Sequence, residues 1–371
     1  MRLRIVVIGA GFGGSSVMRY LRHYRRGLEL TVIDKSRFFS FLPALPDVLG
    51  RKVDPQYLSY PVARIARECG AIFVNAAVQR IDPARRTVIT ETNEVAYDYL
   101  VIASGSESDF YGNELLRSRC RKLDNVADAR QLRFLLDKGE YNSYIIAGGG
   151  YTGIEIAAGI RRYLMRRRRF SRVFIAEKTD TILGALPSWM KEYAGENLKR
   201  MQVPVIRNTE ITGIEKKTVY LSSGDVFEDA LPVWAAGVRT PGFLQSLGGE
   251  RNMQGRMEVD RYLRLDERCF VIGDSAQVAY RGGKLRMGVQ FAVMQGVSAA
   301  RNIVHSITKQ PLVPYRPLDL GYIVPMANNN SCGRVLGVDA HGVPATFLHY
   351  VMCLYRSYGM RNKWGLLKGI I

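Results

Sequence analysis

The sequence predicts an α/β fold with two Rossmann-like dinucleotide-binding domains. Glycine-rich loops with G-x-G-x-x-G spacing occur at Gly9–Gly14 and at Gly148–Gly153. Each loop follows an apolar stretch typical of a buried strand, Ile5–Ile8 and Tyr144–Ala147, and each precedes a helical pattern. A single loop of this kind is weak evidence. Two loops in the same strand–loop–helix context predict that one chain binds two dinucleotides.

The glycines of each loop have separate physical roles. The first permits a tight turn, the second lets the backbone approach a pyrophosphate, and the third lets the helix pack on the strand. Backbone N–H groups at the start of the helix then hold the phosphate charge. The candidate binding residues in the two loops are Gly9, Gly11, Phe12, Gly13, Gly14, Gly148, Gly150, Tyr151, Thr152 and Gly153.

An acidic residue ends the second strand of each unit. The stretches are Leu30–Asp34 and Val173–Glu177, and such an acid accepts hydrogen bonds from a ribose 2′-hydroxyl. Both acids lie further along the chain than the usual spacing of about 20 residues. Glu177 favours NADH because a carboxylate repels the 2′-phosphate of NADPH, although Arg172 and Lys178 lie close by. The alternative is that each acid is a solvated strand end.

Each unit also closes with a strand that runs into small residues and glycine, at Tyr99–Gly105 and Leu231–Gly237. Small residues there let the chain pass beside a cofactor, whereas an ordinary strand-end turn is the alternative. A further apolar strand ends in Gly-Asp at Cys269–Asp274. The candidate cofactor-binding residues outside the loops are Asp34, Lys35, Pro43, Val78, Ala103, Ser104, Gly105, Gly273, Asp274, Glu177, Ala236 and Gly237.

These motifs, in this order, resemble the two-dinucleotide flavoprotein disulfide reductase superfamily, the pyridine nucleotide-disulfide oxidoreductases. The resemblance implies that the N-terminal loop holds FAD and that the middle loop holds the nicotinamide cofactor. It also implies that Asp274 contacts the ribityl and phosphate portion of FAD.

The cysteines separate the branches of this superfamily. Disulfide reductases need two thiols close together beside the flavin. The corresponding stretch, Phe38–Pro46, contains no cysteine, and the five cysteines of the chain are not closely paired. They fit neither a dithiol centre nor a zinc site. Disulfide reduction is therefore excluded, and no metal site is predicted.

Among the remaining branches, the chain resembles the type II NADH dehydrogenases most closely. The matching stretches are Gly9–Gly14, Phe41–Pro43, Tyr97–Ala103, Gly148–Glu155 and Ala235–Arg239. The resemblance implies that NADH passes a hydride to the flavin, which then gives two electrons to a membrane quinone without proton pumping.

Three catalytic candidates come from this resemblance. Glu155 lies in the first turn of the second loop's helix, where the family's glutamate bonds the nicotinamide; a first-turn acid favoured by the helix dipole is the alternative. Gln290 matches the first of two glutamines in the family's quinone-site helix. Met294 stands where the second glutamine is expected, so the electron acceptor stays open, and core packing is an equal reading of Met294.

The net charge of +19, from 53 basic and 34 acidic residues, predicts a polyanionic partner or surface. Nucleic acid and an anionic membrane are the two candidates, but no nucleic-acid module interrupts the dinucleotide folds. The basic clusters are equally consistent with solvated helix faces. They contain Arg161, Arg162, Arg166 to Arg169 and Arg172, and also Arg19, Arg22, Arg25 and Arg26.

The C-terminal segment favours the membrane. Positions 343–371 contain no acidic residue, and an amphipathic basic segment with aromatics is typical of an interfacial helix. A helix packed on the protein or on a partner in a homodimer is the alternative. We therefore expect a peripheral protein at the cytoplasmic face of the cell membrane. The predicted apolar face contains Phe347, Tyr350, Val351, Leu354 and Tyr358, widened by Leu348, Met352 and Tyr355, and followed by Trp364, Leu366, Leu367, Ile370 and Ile371.

The predicted organisation is an NADH domain inserted into a split FAD domain. Residues 1–118 and 260–310 form the FAD-binding domain, 119–259 the NADH-binding domain, and 311–371 a C-terminal region with the amphipathic segment. Three other functions stay open: a sulfide:quinone oxidoreductase, a soluble reductase of a small electron carrier that uses NADH or NADPH, and a redox-sensing flavoprotein that binds polyanions.

The interpretation of Glu177 predicts the nicotinamide preference. We expect NADH to reduce the flavin faster than NADPH, as followed by the loss of flavin absorbance. Glu177→Ala removes the carboxylate that repels a 2′-phosphate, so this substitution should narrow the preference. A wild-type protein that reacts faster with NADPH would show that the interpretation of Glu177 is wrong.

Overall fold

The computed structural model describes residues 2–24 and 26–370. Arg25 and Ile371, which the sequence analysis assigned to a basic cluster and to the C-terminal segment, lie outside the described residues. The helices of the described part are α1 (Phe12–Leu21), α2 (Asp47–Gly50), α3 (Val62–Cys69), α4 (Glu114–Arg119), α5 (Val126–Lys138), α6 (Tyr151–Arg166), α7 (Ser188–Arg200), α8 (Val289–Ile307), α9 (Gly342–Arg356) and α10 (Met360–Ile370).

The chain forms two compact units. The first unit contains the described residues up to Phe39, together with Tyr60–Glu107 and Val238–Asp319. The second contains Ser40–Ser59, Ser108–Gly237 and the described residues from Leu320 onward. The domain boundaries predicted from the sequence refer to cofactor binding rather than to compactness, and they stay a prediction.

A parallel sheet forms the centre of the first unit. Its strands, in spatial order, are Cys269–Val271, Tyr99–Ile102, Leu3–Ile8, Leu28–Asp34 and Ile72–Asn75. The unit also contains an antiparallel sheet of Val78–Asp82, Thr87–Thr90 and Glu94–Ala96, and the short strand pairs Met257–Glu258 with Ala276–Gln277 and Ala279–Tyr280 with Gly283–Lys284.

A second parallel sheet lies in the second unit, with the order Val205–Ile206, Arg172–Ala176, Ser143–Ala147 and Ala230–Trp234. Two antiparallel sheets accompany it. They contain Ile211–Glu215, Thr218–Leu221 and Val226–Phe227, and Gly321–Val324, Ser331–Val335 and Val338–His341. The remaining short strands, Phe38–Ser40, Ser59–Pro61, Glu107–Ser108 and Val238–Arg239, lie where the chain passes from one unit to the other.

The central strands form because their side chains are apolar on both sides. Ile5–Ile8 and Ser143–Ala147 are buried throughout, as expected of strands in a parallel sheet that is covered on both faces. In each sheet the strand before the glycine-rich loop lies in the middle. It pairs on one side with the strand that ends in the acid and on the other side with the closing strand. The predicted α/β class with two dinucleotide-type sheets is confirmed.

The C-terminal helices pack on the second unit along one face. The buried residues of this face are Ala345, Thr346, Tyr350, Cys353, Asn362, Gly365, Leu366 and Gly369. Helix α10 is anchored to the segment 52–59, because the Lys52 amide donates to the Gly369 carbonyl and the Asn362 side-chain amide donates to the Ser59 carbonyl. The tail is therefore part of the core of this unit as well as part of its surface.

The exposed face of α9 differs from the predicted apolar face. Tyr350, Tyr358 and Leu366 were predicted on the apolar face but are buried. Tyr350 faces a polar cluster inside the unit. The exposed apolar residues of α9 are mostly members of the predicted face, and they form one stripe together with Val343. We call this the α9 stripe, and it contains Val343, Phe347, Leu348, Val351 and Tyr355. None of the helices in the described part of the chain has the length and hydropathy of a transmembrane span.

Candidate active site

The two glycine-rich loops have the same local geometry. Gly9 and Gly148 both adopt positive φ angles, of 97° and 103°, which L-residues with side chains rarely adopt. A Cβ atom on Gly9 would collide with the Ala103 carbonyl, and one on Gly148 with the Ala235 carbonyl. The closing strand of the same sheet therefore lies so close to the first position of each loop that only glycine fits there.

The second and third glycines also correspond in space. A Cβ atom on Gly14 or Gly153 would collide with the carbonyl oxygen of the first glycine in its own loop. By contrast, a Cβ atom on Gly11 or Gly150 would meet nothing within 4 Å. Each loop thus leaves open space beside its central glycine, at the start of a helix. Backbone N–H groups there fit the pyrophosphate of a dinucleotide.

The two predicted ribose acids are held in matching positions. Asp34 accepts from the Ala10 amide at 2.7 Å and from the Ser36 amide at 2.7 Å. Glu177 accepts from the Gly149 amide at 2.6 Å and from the Thr179 amide at 2.8 Å. Burial raises the pKa of Asp34 above its ordinary value. Backbone amides of the same unit orient both carboxylates. This arrangement is consistent with carboxylates that accept hydrogen bonds from ribose hydroxyls.

Asp274 lies in a polar setting at the end of its strand. Ser106 Oγ donates to the Asp274 carboxylate at 3.0 Å, and burial raises the pKa of this carboxyl. The amide of Gly273 donates to the side-chain oxygen of Gln295 at 2.6 Å. Gln295 is a buried residue on α8 that the sequence analysis did not select. The sequence signal that could have identified it is that this glutamine directly follows Met294, where the second glutamine was expected.

The remaining candidates of the first unit lie around the same sheet edge. The hydroxyls of Ser104 and Ser275 are 3.0 Å apart, and Ser275 Oγ donates to the Gly105 carbonyl at 3.2 Å. The Phe12 ring packs edge-on against Phe39 at 5.0 Å. For two other candidates, Lys35 and Val78, cofactor binding stays a prediction. Lys35 forms an exposed ion pair with Glu107 at 3.5 Å, and Val78 is half-buried at the start of its strand.

The closing turn of the second unit is supported by a residue that the sequence analysis missed. Tyr111 donates its hydroxyl to the Ala236 carbonyl at 3.0 Å, and a Cβ atom on Gly237 would collide with the same hydroxyl. The Asp109 amide donates to the Gly237 carbonyl at 3.0 Å. No motif marks Tyr111 in the sequence. The other candidates here lie at the start of α6, where Tyr151 packs edge-on to Tyr322 and Thr152 is exposed.

Glu155 lines a small pocket in the second unit, and a second carboxylic acid lines it too. The pocket is formed by Pro43, Pro46, Asp47, Glu155, Pro325, Met326 and Ala327. Its free volume is about 10 Å³, which is about the volume that one water molecule needs. Burial, and then repulsion from Asp47, raises the pKa of Glu155 well above its ordinary value. The sequence analysis placed Glu155 in the first turn of its helix, and this is wrong: α6 begins at Tyr151 and has no acid in its first turn. The alternative of a first-turn acid favoured by the helix dipole therefore does not apply.

Asp47 is the centre of a buried polar cluster. It accepts from the Tyr350 hydroxyl at 2.7 Å and forms an ion pair with Arg51 at 3.2 Å. The Arg51 guanidinium also stacks over the Tyr350 ring at 4.7 Å. Burial raises the pKa of Asp47 to about 6, although the bonds from Tyr350 and Arg51 act in the opposite direction. The Asp47 carboxyl is therefore able to exchange a proton near neutral pH.

Helix α2, which carries Asp47, crosses α6, which carries Glu155, at a pair of glycines. A Cβ atom on Gly50 would lie 2.7 Å from the Cα atom of Gly159. The two helices therefore approach to backbone contact, and this close approach places both carboxyl groups at one pocket.

Gln290 and Met294 lie one turn apart on α8, and both are half-buried. The Gln290 side-chain amide donates to Asp319 at 3.2 Å, and Arg286 binds the same carboxylate at 2.8 and 3.1 Å. Gln290 is thus oriented by an ion pair. The structure brings Gln290 and Met294 onto one helix face, while their role at a quinone site stays a prediction.

The thiols of the described chain are all buried, at Cys69, Cys120, Cys269, Cys332 and Cys353. Burial raises the pKa of Cys120 to about 12 and that of Cys332 to about 12. Thiols with such pKa values carry little thiolate, which is the reactive form.

Comparison with known proteins agrees with this geometry. The model of the pyridine nucleotide-disulphide oxidoreductases matches residues 3–297. The chain belongs to this family. Its match contains both glycine-rich loops, both ribose acids, Asp274 and the start of α8. The family assignment made from the motifs is confirmed.

Two curated relatives align with almost the whole chain. The chain is 27% identical over 376 positions to a demethylphylloquinone reductase of Synechocystis, which covers 96% of this chain and 92% of the relative. It is 26% identical over 384 positions to a type II NADH:quinone oxidoreductase of Staphylococcus haemolyticus, which covers 95% of this chain and 94% of the relative.

Solved structures of low identity show the same fold. NDH2 from Plasmodium falciparum, solved in complex with NADH, superposes with a TM-score of 0.86 at 14% identity, covering 100% of this chain and 98% of that one. The sulfide:quinone oxidoreductase of Aquifex aeolicus superposes with a TM-score of 0.80 at 20% identity, covering 98% and 92%. The fold is thus shared by enzymes with different electron donors.

The FAD site is tested by removing its two acids. Asp34→Ala and Asp274→Ala should each weaken FAD affinity about tenfold, because each removes a hydrogen-bonding carboxylate from a largely buried site. The measurement is the ratio of FAD to protein after gel filtration, with Glu94→Ala, an exposed acid of the same unit, as the control. Unchanged FAD content in both variants would contradict the assignment of the first loop to FAD.

The buried setting of Asp47 predicts a pH dependence of stability. Its pKa of about 6 exceeds the unfolded value of about 3.9, so between these pH values the folded state holds a proton that the unfolded state releases. The free energy of unfolding should therefore fall as pH rises from about 4 to 6, by at most about 3 kcal/mol from this group.

Asp47→Asn should flatten that part of the curve. Urea unfolding of the FAD-loaded protein, followed by circular dichroism at several pH values, measures the difference. Asp180→Asn, which changes an exposed carboxylate of the same unit, should leave the curve parallel to that of the wild type. A parallel curve for Asp47→Asn would contradict the raised pKa.

Proposed function

We propose that this chain is an FAD-dependent NADH:quinone oxidoreductase of the type II NADH dehydrogenase branch, which works without proton pumping. The curated relatives named above support this proposal, because they align with at least 95% of the chain and are named as quinone reductases. When bound, the nicotinamide and the flavin supply the two-electron chemistry, and the protein supplies orientation and electrostatics.

The duplicated loop geometry is the observation that carries the proposal. Gly11 and Gly150 each border open space at a helix start, beside an acid that the backbone holds in place. One loop with its acid binds one dinucleotide. The first unit, with Asp34 and Asp274, fits FAD, and the second unit, with Glu177, fits NADH.

The protons that quinone reduction requires need a group that can exchange them near neutral pH. Glu155 and Asp47 share one pocket and both have raised pKa values. In this proposal Glu155 positions the nicotinamide, and its carboxyl oxygens hold or release a proton during turnover. Arg51 and Tyr350 position Asp47, because they bind its carboxylate directly.

The acceptor is proposed to be a quinone that contacts Gln290 and Met294. A thioether is apolar and adaptable, which suits an isoprenoid-substituted ring. A sulfide:quinone oxidoreductase is less well supported, because every thiol of the described chain is buried and a sulfur relay needs reactive thiolates.

The α9 stripe supports peripheral attachment to an anionic membrane. Phe347, Val351 and Tyr355 expose 66%, 43% and 76% of their surface on successive turns of one helix. Arg356, Arg361, Lys363 and Lys368 follow in the same tail, and no acid lies among them. An exposed apolar stripe beside basic residues is typical of an interfacial helix. The cytoplasmic face is proposed because its leaflet is anionic.

The proposed activity is tested by NADH oxidation with quinones. Full-length FAD-loaded protein should reduce a short, water-soluble quinone, and it should reduce a long-chain quinone only when anionic vesicles are present. Turnover with a small protein carrier but with neither quinone would favour a soluble reductase. Nucleic-acid binding without quinone turnover would favour a redox sensor.

The membrane part is tested by substituting the α9 stripe. The variant Phe347→Ser, Val351→Ser, Tyr355→Ser should keep turnover with the short quinone and lose most turnover with the long-chain quinone in vesicles. The matched control substitutes three other exposed apolar residues of the same unit, Phe134→Ser, Phe170→Ser and Val226→Ser. High salt should weaken vesicle binding of the wild type by screening.

Sedimentation distinguishes two roles of the α9 stripe, attachment to a membrane and contact with a second copy in a homodimer. If the stripe variant changes the oligomeric state while vesicle binding stays the same, the stripe is a dimer interface and the membrane proposal is wrong.

A further inference from the structure

The basic cluster at the end of α6 forms part of a pocket that the proposed reaction does not use. The pocket has a volume of about 480 Å³, within the range of small-molecule sites. It lies entirely in the second unit, between α6, α7 and the loop before the strand Ser331–Val335. Its lining residues are Arg162, Met165, Arg166, Asn197, Arg200, Met201, Asn328 and Asn330.

Helical spacing brings the lining side chains together. Arg162, Met165 and Arg166 occupy positions i, i+3 and i+4 of α6, and Asn197 and Arg200 are three positions apart on α7. Such spacings place side chains on one helix face. The pocket therefore collects three guanidinium groups and three side-chain amides, and no acidic residue lines it.

The amide groups of the pocket are already ordered. Asn197 and Asn328 exchange two hydrogen bonds, at 3.1 and 2.8 Å, and Asn197 is fully buried. The backbone N–H of Asn330 donates to the side-chain oxygen of Asn328 at 3.3 Å. A polar wall that is held by its own hydrogen bonds needs little reorganisation to receive a ligand.

The arginines of the pocket form no direct ion pair, although Asp47 attracts Arg162 from a greater distance. Among the described residues, no carboxylate lies within ion-pair distance of Arg162, Arg166 or Arg200. Arg162 Nη1 is buried without a hydrogen-bond partner. Burial, and then repulsion from Arg51 and Arg166, lowers the pKa of Arg162. Arg162 is half-buried, and an unpaired Nη1 beside like charges is unfavourable, so a bound anion would stabilise it.

The chemistry of the lining residues selects the class of ligand. Guanidinium groups bind phosphate oxygens with two parallel hydrogen bonds. The side-chain amide of Asn330 adds a neutral donor, whereas the amide of Asn197 is used by Asn328 and Met326. The pocket is several times larger than a phosphate group, and Met165 and Met201 supply apolar surface at its wall. We propose that this pocket is a binding site for an organic phosphate that carries at least two negative charges. A soluble phosphate monoester and the headgroup of a phospholipid that carries two negative charges share this chemistry.

The site lies one loop away from the carboxyl pocket. Asn329, between the two asparagines of the wall, accepts from Arg51 at 2.5 Å, and Arg51 is the ion-pair partner of Asp47. Met326 and Ala327 of the same loop line the pocket of Glu155. A ligand on Asn328 and Asn330 thus contacts the loop that supports the proposed proton-exchanging groups.

The experiment uses the FAD-loaded full chain saturated with NAD⁺, so that both glycine-rich loops are filled. Isothermal calorimetry with inorganic pyrophosphate at fixed ionic strength should detect one site. Arg166→Gln combined with Arg200→Gln, two exposed side chains, should weaken this binding about tenfold or more, because each lost arginine removes a charge-assisted hydrogen bond.

The control is Arg168→Gln combined with Arg172→Gln. It removes the same charge from exposed arginines of the same cluster that do not line the pocket, and it should change affinity less than about twofold. Asn330→Leu keeps the net charge and should also weaken binding. The melting temperature of each variant confirms that it is folded.

Flotation with vesicles separates the two sources of phosphate. If the pocket variant loses binding to vesicles that contain phosphatidic acid, whose phosphomonoester headgroup can carry two negative charges, and the control does not, the ligand is a lipid headgroup. If both variants float with the vesicles like the wild type while pyrophosphate affinity falls only in the pocket variant, the ligand is soluble. No pyrophosphate binding by the wild type, or an equal loss in the pocket variant and the control, would overturn the proposal.

Discussion

The contact between the first glycine of each loop and the carbonyl that ends the closing strand constrains the whole structure. Gly9 lies on Ala103, and Gly148 lies on Ala235, at distances that leave no space for a side chain. This contact ties the start of a helix to the edge of a parallel sheet. The space beside Gly11 and Gly150, and the positions of Asp34 and Glu177, follow from it, because the backbone of each loop donates to the acid.

The second unit adds a constraint of a different kind. Its buried carboxyl, Asp47, is held by Arg51 from the same short helix and by Tyr350 from the C-terminal tail. The tail therefore has two roles. One face of α9 completes a polar cluster inside the unit, and the other presents the α9 stripe to the surroundings. A substitution on the buried face alters the carboxyl pocket, whereas one on the stripe leaves that pocket intact.

The sequence predicted what depends on local spacing and missed what depends on distant contacts. Both loops, their strands and their acids were found because a loop motif, a strand and a strand-end acid lie close together in the chain. Tyr111 and Asp47 were not found. The bond between Tyr350 and Asp47 joins residues 303 positions apart, and helical spacing alone assigned Tyr350 to an exposed face. A periodicity shows that a helix has two faces, but it does not show which face the protein covers.

The matching geometry of the two loops has a consequence for selectivity. FAD and NADH share the adenosine diphosphate half, which is the half that such loops contact. Loops of one shape therefore cannot distinguish the two molecules, and discrimination must arise where the isoalloxazine and nicotinamide halves lie. The two loops differ in the surroundings of their fifth position, which is Gly13 in the first loop and Thr152 in the second. Gly13 packs against Ile272 and Ala292, whereas the corresponding Thr152 is exposed. A swap of cofactor specificity would thus require changes beyond the glycine-rich loops.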